Sequence, residues 1–210
     1  MNQLETEVKF HLPEPAAIRS RIRELGGRFA EESFEKNIRF EDSTCSLFKK
    51  NALLRLRKTD SRTELTYKGE PPEKNTDFKV HRELEVLVGD FETTAQILEA
   101  VGFHKEQVYE KYRETWNING TIACMDRMPF GNFLEIEGKP EAIREIAAKL
   151  GLDWDKRILE NYLSIFERLK AKYALCFNDV TFENFRQVDL DFAGFADLFE
   201  AGPQAQNTGG

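Results

Sequence analysis

Apolar and polar residues alternate with a period of two over much of this chain. Four stretches break that alternation with the 3.6-residue period of amphipathic helices. Period-2 segments cover residues 5–10, 53–58, 64–68, 79–88, 108–116, 121–127 and 132–138, and each predicts a strand. Helices are predicted over 15–25, 92–101, 140–150 and 156–172. The first places Ile18, Ile22 and Leu25 on one face and stops at Gly26-Gly27; the second carries Ile97, Leu98 and Val101 and stops at Gly102. Each of these two follows a charged alternating strand and precedes a phenylalanine, a weak internal repeat. Asn119-Gly120 is a strong hairpin signal and Pro129-Phe130-Gly131 a second turn. Residues 70–77 form a polar loop with two prolines, suited to a lid. Strands at this density, joined mostly by hairpins, predict an α+β chain: an antiparallel sheet or barrel with helices outside.

The C-terminal part has another character. Residues 173–200 are rich in Phe and Asp and lack Lys, and they predict a hairpin over 176–189 and a short helix over 192–199. Phe182, Phe185, Phe192, Phe195 and Phe199 are expected to pack this extension on the barrel or on a second copy of the chain, as in a homodimer. Residues 201–210 are composed like a disordered tail. The expected organisation is therefore one domain over 1–172, an extension over 173–200 and a tail over 201–210.

Neighbours on a strand point to opposite faces, so charge sorts onto one face of each. Glu5, Glu7 and Lys9 oppose Leu4, Val8 and Phe10; Arg55 and Arg57 oppose Leu54 and Leu56. Thr66 and Lys68 oppose Leu65 and Tyr67; Glu83 and Glu85 oppose Leu84 and Val86. Lys111 and Arg113 oppose Tyr112; Glu135 and Glu137 oppose Leu134 and Ile136; Asp126 ends a strand with blurred alternation. For one strand alone, the simplest reading is a solvated outer face. The set says more, because the signs are segregated: arginine and lysine on one strand pair, glutamate on the first and last strands. A surface built for solubility mixes its signs. If the sheet closes with helices outside, these charges line the lumen. There they are tolerable only when hydrated, paired or bound to a ligand. Such a lumen suits a polyanion with divalent cations. Arginine forks and lysine point charges meet phosphate oxygens, and carboxylates hold Mg²⁺ or Mn²⁺ that bridge to the phosphates.

Composition narrows the choices. The 210 residues carry a formal net charge of −7, which argues against a general nucleic-acid binder. No apolar run approaches the ~20 residues that span a bilayer, and the N-terminus has no secretory signal. Cys45, Cys124 and Cys176 are dispersed and suggest neither disulfides nor zinc, so the cytoplasm is the expected compartment. Cys124 reads as a small buried hydrophobe and His81 as a surface or strand-end histidine. No Gly-rich phosphate loop is present.

The stretch Glu5-Thr6-Glu7-Val8-Lys9 resembles the E-x-E-x-K signature of the CYTH superfamily, the triphosphate tunnel metalloenzymes. This group includes class IV adenylyl cyclases, thiamine triphosphatases and inorganic triphosphatases. The similarity continues in order through Leu54-Arg55-Leu56-Arg57, Thr66-Tyr67-Lys68-Gly69, Arg82-Glu83-Leu84-Glu85, Glu110-Lys111-Tyr112-Arg113, Asp126 and residues 131–138. It covers roughly residues 1–170 and leaves out 173–210. The resemblance implies a closed tunnel of eight antiparallel strands. It implies that Arg55, Arg57, Lys68, Lys111 and Arg113 bind a triphosphate. Lys9 would contact phosphate or orient the attacking group. Glu5, Glu7, Glu135 and Glu137 would hold Mg²⁺ or Mn²⁺, with Asp126 nearby, and Glu83 and Glu85 match a less constant acidic pair.

The same tunnel can serve two reactions, because phosphoryl and nucleotidyl transfer depend mainly on positioning and charge neutralisation. Attack of the ribose 3′-hydroxyl on the α-phosphorus of ATP makes cyclic AMP and pyrophosphate. Attack of water on the terminal phosphorus hydrolyses ATP, thiamine triphosphate or tripolyphosphate. Residues 34–38 and 109–113 look more like the class IV cyclases and their bacterial relatives than like animal thiamine triphosphatases. A non-catalytic polyphosphate or nucleotide binder is the third reading. The acidic strands oppose it, because carboxylates beside a phosphate repel it unless a cation intervenes.

Overall fold

A computed structural model describes residues 3–71, 75–188, 194 and 199–201. Eight strands are present: β1 (Gln3–His11), β2 (Arg28–Asp42), β3 (Leu53–Lys58), β4 (Thr63–Gly69), β5 (Lys79–Val88), β6 (Phe103–Ile118), β7 (Thr121–Met128) and β8 (Gly131–Glu137). They close into one antiparallel barrel in the order β1-β5-β4-β3-β2-β6-β7-β8, with β1 pairing on β8 to seal it. Five helices accompany them: α1 (Pro15–Glu24), α2 (Ser46–Lys49), α3 (Phe91–Ala100), α4 (Pro140–Lys149) and α5 (Tyr162–Tyr173).

The internal repeat has a structural counterpart. β1-α1-β2 and β5-α3-β6 are both strand–helix–strand units, and their long second strands pair with each other from Arg28↔Asn117 to Asp42↔Phe103. Gly26 and Gly102 leave their helices at φ +77° and +102°, a region that side chains rarely adopt. The Asn119-Gly120 turn joins β6 to β7 with φ positive at both residues, matching the strand twist.

Apolar packing lies outside the barrel wall, not in its lumen. One cluster joins Val8, Phe10, Leu134 and Ile136 to Ile18 and Ile22 of α1 and to Ile143 and Ile146 of α4. A second joins Ile38, Phe40 and Leu56 to Phe91, Ala95 and Leu98 under α3. A third joins Phe130 and Phe133 to Tyr162, Ile165, Phe166 and Leu169 of α5, with Val180, Phe185 and Phe199 from the extension. Helical cover stops short of the β1–β5 sector, where Leu4, Leu84 and Val86 remain exposed on the outer face.

Several expectations are corrected. The helix predicted over 156–172 begins only at Tyr162, because Ile158 exchanges both backbone hydrogen bonds with Lys9 (2.7 and 3.2 Å) and extends the wall instead. Asn161 then caps the helix by accepting from the Ser164 N–H. α5 packs on the wall through Ile165, Phe166 and Leu169, and its N-terminal end lines the cavity with Tyr162 and Leu163, preceded by Leu159. No hairpin forms over 176–188; Val180 makes a single parallel bridge to Tyr109, and 182–187 turn. That segment presents its side chains to α5, so packing there prevails over strand pairing. The predicted helix over 192–199 and the tail over 202–210 lie almost wholly outside the described residues, as do Phe192, Phe195 and residues 72–74 of the lid loop. β2 is a strand the alternation did not announce.

Candidate active site

The barrel encloses a polar cavity of about 1250 Å³ into which the charged faces of the strands project. Arg55 and Arg57 enter from β3, Lys68 from β4, Lys111 and Arg113 from β6, and Lys9 from β1. A fully apolar interior would forbid this, and here the charges are held by one another. Arg113 makes a two-pronged contact with Asp126, both prongs 2.6 Å, and also meets Glu135. Lys111 lies 2.9 Å from Asp126 and 3.6 Å from Glu35. Lys9, only 1 % exposed, lies 2.9 Å from Glu135, donates to the Glu160 carbonyl at 3.2 Å and sits 4.2 Å over the Tyr162 ring. The Tyr162 hydroxyl in turn donates to Asp126 at 2.8 Å. Arg57 lies 3.2 Å from Glu35 and 3.5 Å from Glu64, and Arg55 donates to Thr66 at 3.0 Å. Burial opposes the charge on Glu35, but Lys111, Arg57 and Arg113 prevail and hold its carboxyl at about 2.

Opposite stands a group with a different balance. Carboxylate oxygens of Glu5, Glu7 and Glu137 lie within 4.8 Å of one another. The wall explains the meeting: Glu7 and Glu137 are register partners across the β1–β8 seam, and Glu5 is two residues along the same face. Lys68 contacts Glu5, and Lys79 lies 2.5 Å from Glu7. Glu137 makes no ion pair among the described residues. Burial pushes its carboxyl up to about 7 despite Arg113, with Glu5, Glu7 and Glu135 adding repulsion. Burial and the neighbouring Glu5 also raise the Glu83 carboxyl, while Glu83 and Lys68 hold that of Glu5 low against burial. Three converging carboxylates with charge left uncompensated fit a hard divalent cation.

The two remaining acidic residues expected near a metal, Asp126 and Glu135, stand beside that group and are paired with cations. Asp126 is covered by Lys111, Arg113 and Tyr162, and Glu135 lies between Lys9 and Arg113. Both hold cations in place beside the Glu5–Glu7–Glu137 group. Glu83 lies 3.1 Å from Lys68; Glu85 is half exposed and lies 3.8 Å from Arg55.

The cavity also holds residues that the alternation did not single out: Arg39 and Glu41 from β2, Lys79 and His81 from β5, Gln107 and Tyr109 from β6 and Tyr162 from α5. Glu35 and Asn37, also on β2, contact Arg57 behind that lining. His81 is not on the surface as expected; it lines the cavity, and burial beside Lys79 lowers its pKa to about 4. The signal for β2 was present in the odd positions Glu35, Asn37, Arg39 and Glu41 set against Ile38 and Phe40, but Lys36 breaks it. Cys124 is buried, and that burial pushes its thiol up to about 12, so it is no nucleophile. Buried donors on Asn37 (Nδ2), Arg39 (Nε) and Arg55 (Nε) have no hydrogen-bond partner among the described residues. Unmet buried donors are costly, and a bound anion would satisfy them.

A charged closed lumen with an acidic triad has a counterpart among known proteins: the CYTH domain profile matches residues 3–165. The chain belongs to the CYTH domain family. A Methanocaldococcus jannaschii protein named "Putative adenylate cyclase MJ0240" is 27% identical over 173 residues, covering 77% of this chain and 98% of that protein. A Vibrio parahaemolyticus structure described as a "putative adenylate cyclase" superposes with a TM-score of 0.69 at 18% identity, covering 80% of this chain and 99% of that one. A Hippeastrum structure, HpAC1, superposes with a TM-score of 0.59 at 18% identity, covering 78% of this chain and 95% of that one. It is described as a "putative adenylyl cyclase" with a dominant triphosphatase activity. CYTH folds bind triphosphates in this tunnel and are in general metal-dependent, and the acidic cluster here is consistent with both.

Proposed function

We propose that this CYTH protein is a divalent-metal-dependent enzyme that cleaves a phosphoanhydride bond of a triphosphate held inside the barrel. The observation that carries this reading is the meeting, in one cavity, of the unmet donors of Arg39 and Arg55 with the Glu5–Glu7–Glu137 triad. Arg55, Arg57, Lys68, Lys111 and Arg113 take the phosphate oxygens, and Lys9 orients the attacking group. Glu5, Glu7 and Glu137 hold Mg²⁺ or Mn²⁺. A cation held there would offset the negative charge that develops on the phosphate oxygens. Asp126 and Glu135 keep Lys9, Lys111 and Arg113 aimed into the lumen. Residues 1–172 form the catalytic unit, and 173–200 brace α5. Three free, dispersed cysteines support a reducing, cytoplasmic setting.

The leading reaction is adenylyl cyclase chemistry: the ribose 3′-oxygen of ATP bonds to the α-phosphorus, loses its proton and expels pyrophosphate. The name of the M. jannaschii relative supports it. A second reading is hydrolysis, with water attacking the terminal phosphorus and orthophosphate leaving; the activity described for the Hippeastrum protein favours it. Incubation with ATP, thiamine triphosphate and tripolyphosphate plus Mg²⁺ or Mn²⁺, with products identified by mass, tests both. Cyclic AMP with pyrophosphate supports the first and orthophosphate the second. Tight binding of all three with no product would remove the enzyme reading.

A further inference from the structure

Residues 157–160 are held from three sides, and one of the three belongs to the extension. Toward the wall, Ile158 exchanges backbone hydrogen bonds with Lys9, and the Glu160 carbonyl accepts from the Lys9 ammonium at 3.2 Å. This one stretch therefore fixes Lys9 at its backbone and at its charged tip. Toward β5, the buried Arg157 donates to the Asp77 carbonyl at 3.2 Å. On the remaining side, Glu200 forms an antiparallel bridge with Ile158, and the Ala201 N–H donates to the Arg157 carbonyl at 2.8 Å. Ile158 is thus the middle member of a three-strand contact, with Lys9 on one edge and Glu200 on the other. Next to that bridge, Phe199 is buried in one cluster with Ile165, Phe166 and Leu169. The Arg168 guanidinium sits 4.6 Å over the Phe199 ring and also pairs with Glu160. The CYTH profile stops at residue 165, so Phe199, Glu200 and Ala201 lie beyond the part of the chain that matches the family. A short extended segment bridged on one edge opens easily, and a neighbour on its second edge raises the cost of opening.

We propose that Phe199, Glu200 and Ala201 are positioning residues for Lys9: by clamping residues 157–160 on the edge away from β1, they keep the Lys9 ammonium aimed into the triphosphate site. This rests on the reading above, in which Lys9 orients the attacking group, and it gives the extension a part in turnover beyond bracing α5. An ammonium on a flexible four-carbon stem depends on such holding, and its misplacement costs rate more than affinity.

The test uses the full chain and reads Lys9 without turnover. Wild type and variants are labelled briefly with an amine-reactive acylating reagent, and acylation of Lys9 and Lys111 is measured by mass spectrometry after digestion. Lys111 is the internal reference, because it is buried in the same lumen but held by Asp126 and Glu35. Ala201→Pro removes the N–H that meets the Arg157 carbonyl. Arg168→Met, at an exposed site, removes the hold on Phe199 and Glu160. Each is expected to raise Lys9 acylation about fivefold or more while Lys111 stays within about twofold of wild type. Ala201→Gly, which keeps the N–H, is expected to match wild type. Equal rises at both lysines would reveal a general loosening, and no rise at Lys9 would show that residues 157–160 hold without the extension; either result overturns the clamp. With Mg²⁺ or Mn²⁺ and whichever of ATP, thiamine triphosphate and tripolyphosphate is turned over, kcat is expected to fall about threefold or more in both variants, with KM within about twofold. Raised Lys9 acylation at unchanged kcat keeps the clamp and removes Lys9 from the reaction, so the two readings fail separately.

Discussion

Two buried carboxylate groups share this lumen and are held in opposite ways. Asp126, Glu135 and Glu35 are each matched by cations, and the carboxyls of Glu135 and Glu35 are held low by Lys9, Lys111, Arg57 and Arg113 against the cost of burial. Glu137, a short way along the same wall, has burial and three acidic neighbours against it and stays weakly acidic. Identical side chains at similar burial therefore do different jobs. The matched set is scaffold: it fixes the direction of the cationic side chains before any ligand arrives. In the second set Glu5 and Glu7 have Lys68 and Lys79 beside them, and Glu137 alone has no cation of its own among the described residues, a deficit that a cation from solution would relieve.

Substitutions should separate the two sets by what they damage. The largest effect is expected from Glu137→Gln, which removes a ligand from the triad. Turnover should drop by at least about 100-fold, while the thermal midpoint in EDTA at pH 8 holds or rises, since a penalised buried charge is gone. Added Mn²⁺ should raise the midpoint of wild type and not of the variant. A large loss of stability in EDTA would place Glu137 in the scaffold. Asp126→Asn should do the reverse, leaving buried Lys111 and Arg113 with only Glu35 and Glu135 as counter-charges and costing about 3 kcal/mol in urea unfolding. Loss of activity at unchanged stability would contradict the scaffold role.

A smaller effect is expected from pH. Glu35 has a folded pKa of about 2, below its unfolded value of 4.5. Its stabilisation is thus complete above the unfolded value and lost as pH falls toward the folded one. It should contribute up to about 3 kcal/mol that disappears between about pH 5 and pH 2. Urea unfolding across that range should show a shallower acid slope for Glu35→Gln, and an equal slope would show that the cations do not stabilise it. The smallest effect belongs to Arg62→Ala. Arg62 bridges Glu31 and Glu64 near the surface, and solvent screening limits its loss to about 1 kcal/mol or less by the same measurement.

Much of the site was legible because strand alternation is a local property. Glu5, Glu7, Arg55, Arg57, Lys111 and Arg113 could be assigned to the lumen once their partners Val8, Leu54, Leu56 and Tyr112 were set on the other face. Partition within the lumen was not legible. Whether Glu135 meets Lys9 or joins Glu137 depends on register between strands far apart in sequence, and no local pattern carries that. β2 escaped for a related reason. It is polar inward at Glu35 and Asn37 and also outward at Lys36 and Glu32, so neither face reads as apolar over its first half. Residues 156–161 have a helical pattern, and only the nearby edge of β1 at Lys9 converts them to an extended segment. The extension resisted because its aromatic residues pack on α5, a surface that does not exist until the barrel forms.

The β1–β8 seam has a consequence for how the molecule is made. Glu7 meets Glu137, 130 positions further along the chain, so the first strand of the barrel to be made must wait for the last before the ring can shut. Until then β1 offers an open edge, and the charges destined for the lumen face water. Contacts this distant in sequence slow folding and prolong the exposure of unpaired strands. Pairing of β1 with β8 also brings Glu5, Glu7 and Glu137 together, so this acidic group does not exist until that seam has formed. A divalent ion that binds this group therefore rewards only the finished ring, and would act as a latch on assembly as well as a participant in chemistry.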